Sequence, residues 1–460
     1  MIAGGIVAVL TATPASHDAP TPPPRPDILI ITDDTLRDDS LSPYGSTDTQ
    51  TPTTERHARE WVRYEAATTP ITVTHPAHSS ILTGLYPDQH GVLHTGQVLP
   101  EDVVTLAEIL KGFGYQTGGF VGVRFLGRTS GLGQGFDLLD APVDRVQRRA
   151  TPIVDRAVDW LAGLDSQAPV LMWVHLFDPH QSYNPPPAFR RGVDPELEQR
   201  VSEVRWKTLN TVARDNAGDV PAEVLEYALQ LYRGEVEYTD QQLGRLLRSF
   251  DELRDRSRSM VVLTADHGEC FENGIHFDHQ DCLYEGTVRV PLIVRFPEGD
   301  GAGLRVEHRV SNLDIVPTIL SALGAPLPED LAGRPLQETI TGPSGRFVMV
   351  RPPKTRHPDR VIPRLRVIRS VAGKPVAGLT DPRTRGLVGQ VWKYLQASDS
   401  EQLFRLPDEV RNLSASDDEA RRRLRDAFEL EHGRFPSRAP APEANDEATL
   451  EMLEALGYIQ

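Results

Sequence analysis

The sequence has few cysteines, no long apolar run and no excess of positive charge. Only two of its 460 residues are cysteine, which excludes a disulfide-stapled scaffold and a zinc cluster held by thiolates. No apolar run reaches the ~18 residues that a transmembrane helix requires, so no stable membrane span is expected. The chain has 49 Lys and Arg against 65 Asp and Glu, a net charge of −16. Nucleic acid is therefore not an expected partner, because phosphate backbones need clustered positive charge.

The two ends of the chain have the composition of leader and linker segments. Residues 2–10 are apolar and a proline-rich stretch follows. We interpret residues 1–25 as a signal-peptide remnant and spacer, with an ordinary disordered terminus as the alternative. The first interpretation places the protein in the periplasm or outside the cell, and the alternative places it in the cytoplasm. Residues 437–460 are interpreted as a linker and a short terminal helix.

Three apolar segments are typical of buried strands, and each is followed by residues that bind metals or protons. Residues 27–32, 169–177 and 260–265 alternate with amphipathic helical segments, which predicts an α/β fold with a largely parallel sheet. The residues that follow these segments are Asp33 and Asp34, Asp178 and His180, and Asp266, His267 and Glu269. Ligands bind beyond the carboxyl ends of parallel strands. We therefore expect these side chains to lie together at one edge of the sheet.

Carboxylates gathered at one edge repel one another unless a cation neutralises them. Without a cation, Asp33, Asp34 and Asp266 would have raised pKa values. A divalent metal ion removes this conflict, because carboxylate oxygens and an imidazole nitrogen are suitable ligands. We predict one such ion as the cofactor and leave its identity open among Ca, Mg, Mn and Zn.

Residues 74–84 predict a short helix that starts with a hydroxyl group. Thr74 is a suitable N-cap, Pro76 fits the first turn and Gly84 fits the end. Capping alone would explain Thr74. A helix N-terminus also offers free N–H groups and a positive dipole end to an anion. A hydroxyl that binds the metal there could attack a tetrahedral oxyanion, so Thr74 is also the candidate nucleophile.

From about residue 26 to its end, the chain resembles the sulfatase family of the alkaline phosphatase superfamily. The similar segments follow the family's order and include ITDDTLRDD, THPAHSSILTG, WVHLFDPH, LTADHGE, VPLIV and LEALGY. The resemblance implies a large, mostly parallel sheet flanked by helices over residues 26–345. It also implies a small C-terminal α+β subdomain over residues 346–436, in which residues 390–406 read as an antiparallel hairpin.

The resemblance also implies roles for individual residues. The implied metal ligands are Asp34, Asp266 and His267, with Asp33 and Thr74 completing the set. His180 and His279 are expected to reach the ester oxygens, either binding the substrate or protonating the leaving group. His78 and Arg37 are candidate substrate-binding residues, and a structural ion pair is the equal alternative for Arg37. Asp178, His180 and His279 could hold a second metal, but their spacing differs from the two-metal pattern, so one ion is favoured.

The chain departs from the family at the position of its aldehyde cofactor. Sulfatases resemble one another in a Cys- or Ser-x-Pro-x-Arg sequence whose first residue is oxidised to formylglycine. Here Thr74 and His78 stand at the first and last positions, and oxidation of threonine gives at most a ketone. Residues 122–127 match a Lys-Trp-His-Leu-Gly segment but lack its Lys and His. Cys270 and Cys282 lie in no such motif, and they could form a disulfide or remain thiols.

A threonine nucleophile is compatible with a covalent phosphothreonine, as in the Thr-nucleophile phosphodiesterases of the superfamily. We therefore predict a metal-dependent hydrolase of sulfate or phosphate esters without formylglycine, whose partner is a small anionic ester. Phosphoryl transfer is the more natural chemistry for Thr74. The alternatives are a transferase of phosphoryl or phosphoethanolamine groups in the cell envelope and an inactive, sulfatase-like binding protein. The organic part of the substrate and the oligomeric state remain open.

Overall fold

The computed structural model describes residues 25–165, 167–190, 195–202, 222–271, 276–280, 282–341, 347–350, 366–370, 392–396, 401–405, 422, 425–426, 433–435 and 437–444. Its strands are β1 (Ile28–Asp33), β2 (Val62–Thr68), β3 (Gln116–Val121), β4 (Leu138–Asp140), β5 (Val170–Leu176), β6 (Met260–Thr264), β7 (Arg289–Arg295), β8 (Arg305–Ser311), β9 (Phe347–Val350), β10 (Arg366–Ser370), β11 (Trp392–Gln396) and β12 (Glu401–Arg405). Its α-helices are α1 (Pro52–Glu60), α2 (Thr74–Thr83), α3 (Pro87–His90), α4 (Leu106–Gly112), α5 (Ala150–Ala162), α6 (Pro195–Ser202), α7 (Ala222–Leu253), α8 (Glu285–Val288), α9 (Ile315–Ala322) and α10 (Gln337–Thr341). None of the helices in these ranges combines the length and the apolar character that crossing a bilayer demands.

An eight-stranded sheet has the strand order β4-β3-β5-β1-β6-β7-β2-β8. β1 lies between β5 and β6 and pairs in parallel with both. In this sheet β7 runs antiparallel to its neighbours β6 and β2, while β3, β4 and β8 pair in parallel. The sheet is therefore mostly parallel, as predicted. The strands at residues 27–32, 169–177 and 260–265 are direct neighbours, so their carboxyl ends meet.

Helices cover both faces of this sheet, because the side chains of each strand alternate between the faces. Ile28 and Ile30 of β1 belong to a core shared with α2, α4 and α9. Leu29 and Ile31 belong to the core on the other face, which is shared with α5 and the second half of α7. Every residue of β1 is buried. This burial on two faces explains why the strand is a continuous apolar run instead of an alternating one.

A separate antiparallel sheet has the order β12-β11-β10-β9. The hairpin predicted at residues 390–406 corresponds to β11 and β12, which pair from Trp392↔Arg405 to Gln396↔Glu401, so that prediction is confirmed. The extent of the subdomain predicted at 346–436 stays a prediction. The signal remnant predicted at 1–25 lies outside the described residues except for Arg25, and the predicted terminal helix lies entirely outside them.

Residues 437–444, which lie in the segment predicted as a linker, run along α3 and the loop that follows it. Backbone hydrogen bonds run from Arg438 N–H to Asp88 O (2.7 Å), from Ala441 N–H to Gly91 O (2.8 Å) and from Ala444 N–H to Gly96 O (2.7 Å). Glu443 also pairs with His94 at 3.0 Å. The backbone of this stretch is therefore fixed against residues 88–96, and its interpretation as a linker stays a prediction.

Helix α5 begins beside the end of β5, where Asp178 satisfies its first turn. Asp178 Oδ2 accepts a hydrogen bond from the N–H of Ala150 (2.7 Å), the first residue of α5. Burial raises the pKa of Asp178 to about 7, although the bond from Ala150 lowers it. The alternative that Asp178 belongs to a second metal set is not supported, since its carboxylate acts at a helix N-terminus.

We expect the Asp178→Asn variant to gain stability relative to the wild type as the pH rises. The folded wild type keeps a proton on Asp178 up to a pKa of about 7, whereas the unfolded chain loses it near about pH 4. The stability of the wild type therefore falls with rising pH between these values. Asparagine keeps an acceptor for the Ala150 N–H and has no charge. Denaturant unfolding at several pH values measures the difference.

The Asp178→Ala variant serves as the control for the cap. It should show the same trend with pH, offset by a loss of about 1 kcal/mol from the missing acceptor. A difference between wild type and Asp178→Asn that stays constant across the pH range would contradict the assignment.

Candidate active site

The ends of β1 and β6 bring Asp34, Asp266 and His267 together near the start of α2. One ligand atom from each lies within 4.8 Å of the others, and all three residues are buried. The Asp34 N–H donates to Leu176 O (3.0 Å) and so extends the pairing of β1 with β5. The described structure thus contains a possible metal site, formed by residues that follow two neighbouring strands.

Hydrogen bonds orient Asp266 and His267. Asp266 Oδ1 accepts from the N–H groups of His267 (2.8 Å) and Thr35 (3.3 Å). Thr35 has a left-handed backbone with φ 54°, which is costly for a β-branched residue and directs its N–H to Asp266. His267 Nδ1–H donates to Gly268 O (3.0 Å). The lone pair of His267 Nε2 is therefore left on the side of Asp266 Oδ2, 3.3 Å away.

The same set has oxygens whose hydrogen-bonding capacity is unmet. Asp34 Oδ1 and Asp266 Oδ2 are buried without a hydrogen-bond partner among the described residues. Burial, with the negative charges of Asp266 and Asp33, raises the pKa of Asp34 well above its ordinary range. Burial also raises the pKa of Asp266 to about 7. A divalent cation would supply what these oxygens lack, and two carboxylates with one imidazole nitrogen suit such an ion.

Asp33, predicted as a further ligand, is not part of the close set of Asp34, Asp266 and His267. It lines a small cavity with Thr239 and Asp240 of α7, on the other face of β1. Burial raises the pKa of Asp33 well above its ordinary range, although a hydrogen bond from Thr239 lowers it. A ligand role for Asp33 stays a prediction.

Thr74 is the first residue of α2, and the capping residue is Val73. Val73 is extended (φ −138°, ψ 131°), and its carbonyl accepts the first intrahelical hydrogen bond (2.9 Å). The N-cap prediction for Thr74 was therefore wrong by one position, whereas Gly84 ends the helix with φ 73°, as expected. Because capping does not use the Thr74 hydroxyl, Oγ1 lies toward the candidate ligands, 3.4 Å from His267 Nε2.

His180 and His279 lie side by side next to the candidate ligands. Their ring centroids are 5.2 Å apart, and His279 stacks on His267 at 4.5 Å. Burial lowers the pKa of His279, but the bond to Glu269 and its negative charge outweigh this, so the pKa is raised. Burial and His279 lower the pKa of His180 to about 3. The pKa values of the two predicted histidines thus shift in opposite directions, so that His279 is the better proton donor and His180 is neutral.

His78, a predicted substrate-binding residue, is buried with both ring nitrogens bonded to protein. Its Nδ1–H donates to Thr74 O (2.8 Å), and Nε2 lies 3.0 Å from Thr32 Oγ1. A carbonyl only accepts, so Nε2 must accept from the Thr32 hydroxyl. Burial lowers the pKa of His78 to about 3. This arrangement corrects the substrate-binding interpretation, because a neutral His78 without a spare nitrogen holds the start of α2 instead.

Arg37 forms the structural ion pair that we kept as its alternative. Its Nε–H and one amino group donate to the two oxygens of Asp39 (2.9 and 2.7 Å), and the other amino group donates to Glu269 O (2.9 Å). The guanidinium also lies over the ring of Phe271 at 5.7 Å. These contacts favour a structural role over the predicted substrate-binding role.

Two more buried residues contact the candidate groups: Glu269, which the sequence placed at this edge without a role, and His175, which sequence reasoning missed. Glu269 Oε2 accepts from the Tyr183 hydroxyl (2.9 Å), and its Oε1 lies 3.4 Å from His279 Nδ1. His175 Nε2 lies 3.2 Å from Asp34 Oδ2. A polar residue inside an apolar strand must find a partner when it is buried, and this signal was present at His175.

Cys270 and Cys282 form a disulfide, which settles the alternative that the sequence left open. The bond closes the loop that carries His279. Cys270 N–H also donates to Asp278 O (3.0 Å), and Phe277 N–H donates to Cys270 O (2.8 Å). His279 therefore follows a segment held at both of its ends.

Comparisons with known proteins agree with this fold. The sulfatase family model matches residues 26–325. The chain is 26% identical over 359 residues to the ulvan-active sulfatase of Formosa agariphila, covering 72% of this chain and 67% of that protein. It is 24% identical over 398 residues to the N-acetylglucosamine-6-O-sulfatase of Bacteroides thetaiotaomicron, covering 69% and 71%. The phosphonate monoester hydrolase of Agrobacterium radiobacter has the same fold, with a TM-score of 0.68 and 22% identity over 89% of this chain and 95% of that one. The chain therefore belongs to the sulfatase family of ester hydrolases.

Proposed function

We propose that this protein hydrolyses small anionic esters with Thr74 as the nucleophile and a divalent cation held by Asp34, Asp266 and His267. We further propose that it prefers esters of phosphorus to sulfate esters. The observation that carries the proposal is the Thr74 hydroxyl, buried 3.4 Å from His267 Nε2 beside carboxylate oxygens without partners. The likeness to a phosphonate monoester hydrolase is compatible with phosphorus chemistry.

A divalent cation at this set would lower the pKa of a neighbouring hydroxyl and stabilise negative charge on the ester. Thr74 Oγ1 forms a bond to phosphorus as the bond to the leaving oxygen breaks, and the hydroxyl proton is released. His279 delivers a proton to the leaving oxygen, for which its raised pKa suits it. Water then attacks phosphorus as the bond from phosphorus to Thr74 Oγ1 breaks. One proton of the water passes to His279, its hydroxyl stays on phosphorus, and Thr74 Oγ1 takes from the solvent the proton that it released in the first step.

The preference for phosphorus follows from the chemistry of a threonine ester. A hydrated aldehyde releases sulfate by collapsing to a carbonyl, but Thr74 carries a single hydroxyl on a carbon that also carries a methyl group. Its ester can be cleaved only by attack of water on phosphorus or sulfur. Intermediates of the phosphoserine and phosphothreonine type are hydrolysed in this way. Such covalent catalysis divides one difficult displacement into two easier ones.

We expect Thr74→Ala to abolish turnover while the protein stays folded. The hydroxyl does not cap α2, so its loss removes chemistry and little helix stability. Thr74→Ser keeps a hydroxyl and should retain part of the activity. Steady-state assays and thermal unfolding of both variants test this, and mass spectrometry of acid-quenched wild type should detect one phosphoryl group on Thr74.

Thr72→Ala is the matched control, since Thr72 is a buried threonine on the same segment whose hydroxyl has no partner among the described residues. It should keep its turnover. Activity in Thr74→Ala comparable with that of Thr72→Ala would rule out Thr74 as the nucleophile.

Removal of divalent cations should abolish activity and lower the stability of the folded protein. A ligand at 100 times its Kd stabilises the folded state by about 2.7 kcal/mol. In Asp266→Asn this cation-dependent gain should largely disappear. Its stability in EDTA should equal or exceed that of the wild type, because one of two repelling carboxylates is neutral. Denaturant unfolding with and without each cation measures both effects.

Asp240→Asn is the control for a buried carboxylate outside the set of Asp34, Asp266 and His267. Asp240 accepts hydrogen bonds from Thr53 and Thr54 at the start of α1, so its variant should lose stability equally with and without cation. The same cation-dependent gain in Asp266→Asn and in wild type would refute the ligand assignment.

A panel of chromogenic substrates tests the reaction class. It contains an aryl sulfate, a phosphate monoester, a phosphate diester and a phosphonate monoester, each assayed with Ca²⁺, Mg²⁺, Mn²⁺ and Zn²⁺. We expect the highest kcat/KM with a phosphorus ester. Faster turnover of the aryl sulfate would reverse the preference, and cation binding without turnover of any substrate would indicate a binding protein.

A further inference from the structure

His175 is an imidazole in the middle of an apolar, fully buried strand. It lies on β5, where its backbone is in register with Thr32 of β1 and Val121 of β3. The side chain is buried, and both ring nitrogens have partners. Nδ1 lies 3.2 Å from the backbone nitrogen of Gly122, and Nε2 lies 3.2 Å from Asp34 Oδ2.

The two partners determine which nitrogen of His175 carries the proton. A backbone N–H can only donate, so Nδ1 must present its lone pair to Gly122. In the neutral ring the proton is then on Nε2, and Nε2–H donates to Asp34 Oδ2. The hydrogen bond to one ring nitrogen thereby sets the state of the other, as occurs in histidine pairs around metal sites.

Packing keeps the ring of His175 in this orientation. It contacts the ring of His78 edge-on at 4.7 Å and the ring of Phe177 at 5.9 Å. A Cβ on residue 122 would lie 2.7 Å from Phe177 Cβ, so glycine is needed for the backbone of residue 122 to come this close to β5. Gly122 also opens the stretch 122–127, which lacks the family's Lys and His.

We propose that His175 is a positioning residue for the cation ligand Asp34. Its Nε2–H donates a hydrogen bond to Asp34 Oδ2, and this bond fixes the orientation of the Asp34 carboxylate. The other oxygen, Oδ1, is buried without a hydrogen-bond partner among the described residues and is the one that binds the cation. The inference rests on the proposed cation site and adds a residue that does not itself touch the ion.

Three substitutions of His175 separate its two hydrogen bonds. Phenylalanine keeps a ring but removes both nitrogens. Glutamine places an amide N–H near the position of Nε2, so it can still donate to Asp34. Asparagine places an acceptor oxygen near the position of Nδ1, so it can still accept from Gly122 but has no donor in reach of Asp34.

The test is calorimetric titration of Ca²⁺, Mg²⁺, Mn²⁺ and Zn²⁺ into the wild type and these variants, with unfolding in EDTA as the measure of intrinsic stability. Loss of a residue that orients a ligand typically weakens metal binding by about 10- to 100-fold. We expect that loss in His175→Phe and His175→Asn, and near wild-type affinity in His175→Gln. The assignment would be overturned if the loss of cation affinity in each variant matched its loss of unfolding free energy in EDTA. It would also be overturned if His175→Phe bound the cation as tightly as the wild type does.

A measurement on the unmodified protein keeps the inference testable if a variant does not fold. Long-range ¹H–¹⁵N NMR spectra distinguish the two neutral tautomers of histidine, and a spectrum of His175→Gln assigns the signal. A proton on Nε2 with none on Nδ1 supports the proposal, and the reverse tautomer contradicts it. Failure of the wild type to bind any cation would instead reject the cation site itself, which separates the two hypotheses.

Discussion

The site depends on two carboxylates, Asp34 and Asp266, that are buried at the ends of neighbouring parallel strands. The parallel pairing of β1 with β6 forces these strand ends together, so the fold itself creates the electrostatic conflict. The donors that reach the two carboxylates include the amides of Thr35 and His267 and the imidazole of His175. Each carboxylate keeps one oxygen unbonded in the described structure. Unpaired buried charge is among the most costly features a fold can contain, which is why a divalent cation is the simplest completion of this structure.

The side chain at position 78 affects the charge of the candidate site. The resemblance to sulfatases implies an arginine at this position, whereas His78 is buried, neutral and hydrogen-bonded through both ring nitrogens. This site is therefore more negative by one unit than one with a guanidinium there. A more negative site favours the binding of a cation more strongly. An anionic substrate would then be attracted by that cation and by His279 instead of by an arginine. The neutral state of His78 is thus compatible with the nucleophile proposed for Thr74, which needs no oxidation.

The parts of the fold and site that the sequence predicted are those set by short-range patterns. The continuous apolar run of β1 indicated a buried parallel strand, and the residues after β1 and β6 indicated the possible metal site, because strand ends of a parallel sheet share an edge. Alternation along β1 places Asp33 on the face of Leu29 and Ile31, but the sequence does not show which face of the strand lies toward Asp34 and Asp266. His78 and Arg37 each combine a local partner, Thr74 O and Asp39, with a distant one, Thr32 and Glu269 O, and no local pattern reveals the distant partners. The position of Thr74 within α2 was wrong by one residue because the extended backbone of Val73 already supplies the cap.

The two sides of the site are held by different kinds of structure. The side that carries Asp34, Asp266 and Thr74 is formed by β1, β6 and α2, whose positions are fixed by the sheet and by both cores. The side that carries His279 is a loop, in which this residue would be free to move without further restraint. Two features restrain it, the disulfide from Cys270 to Cys282 and the backbone bridge between Cys270 and Asp278. In this bridge Cys270, which follows Glu269, pairs with Asp278, which precedes His279. The contact between His279 and Glu269 is therefore a consequence of loop geometry, and His279 is held against the strand ends of the site without belonging to the sheet.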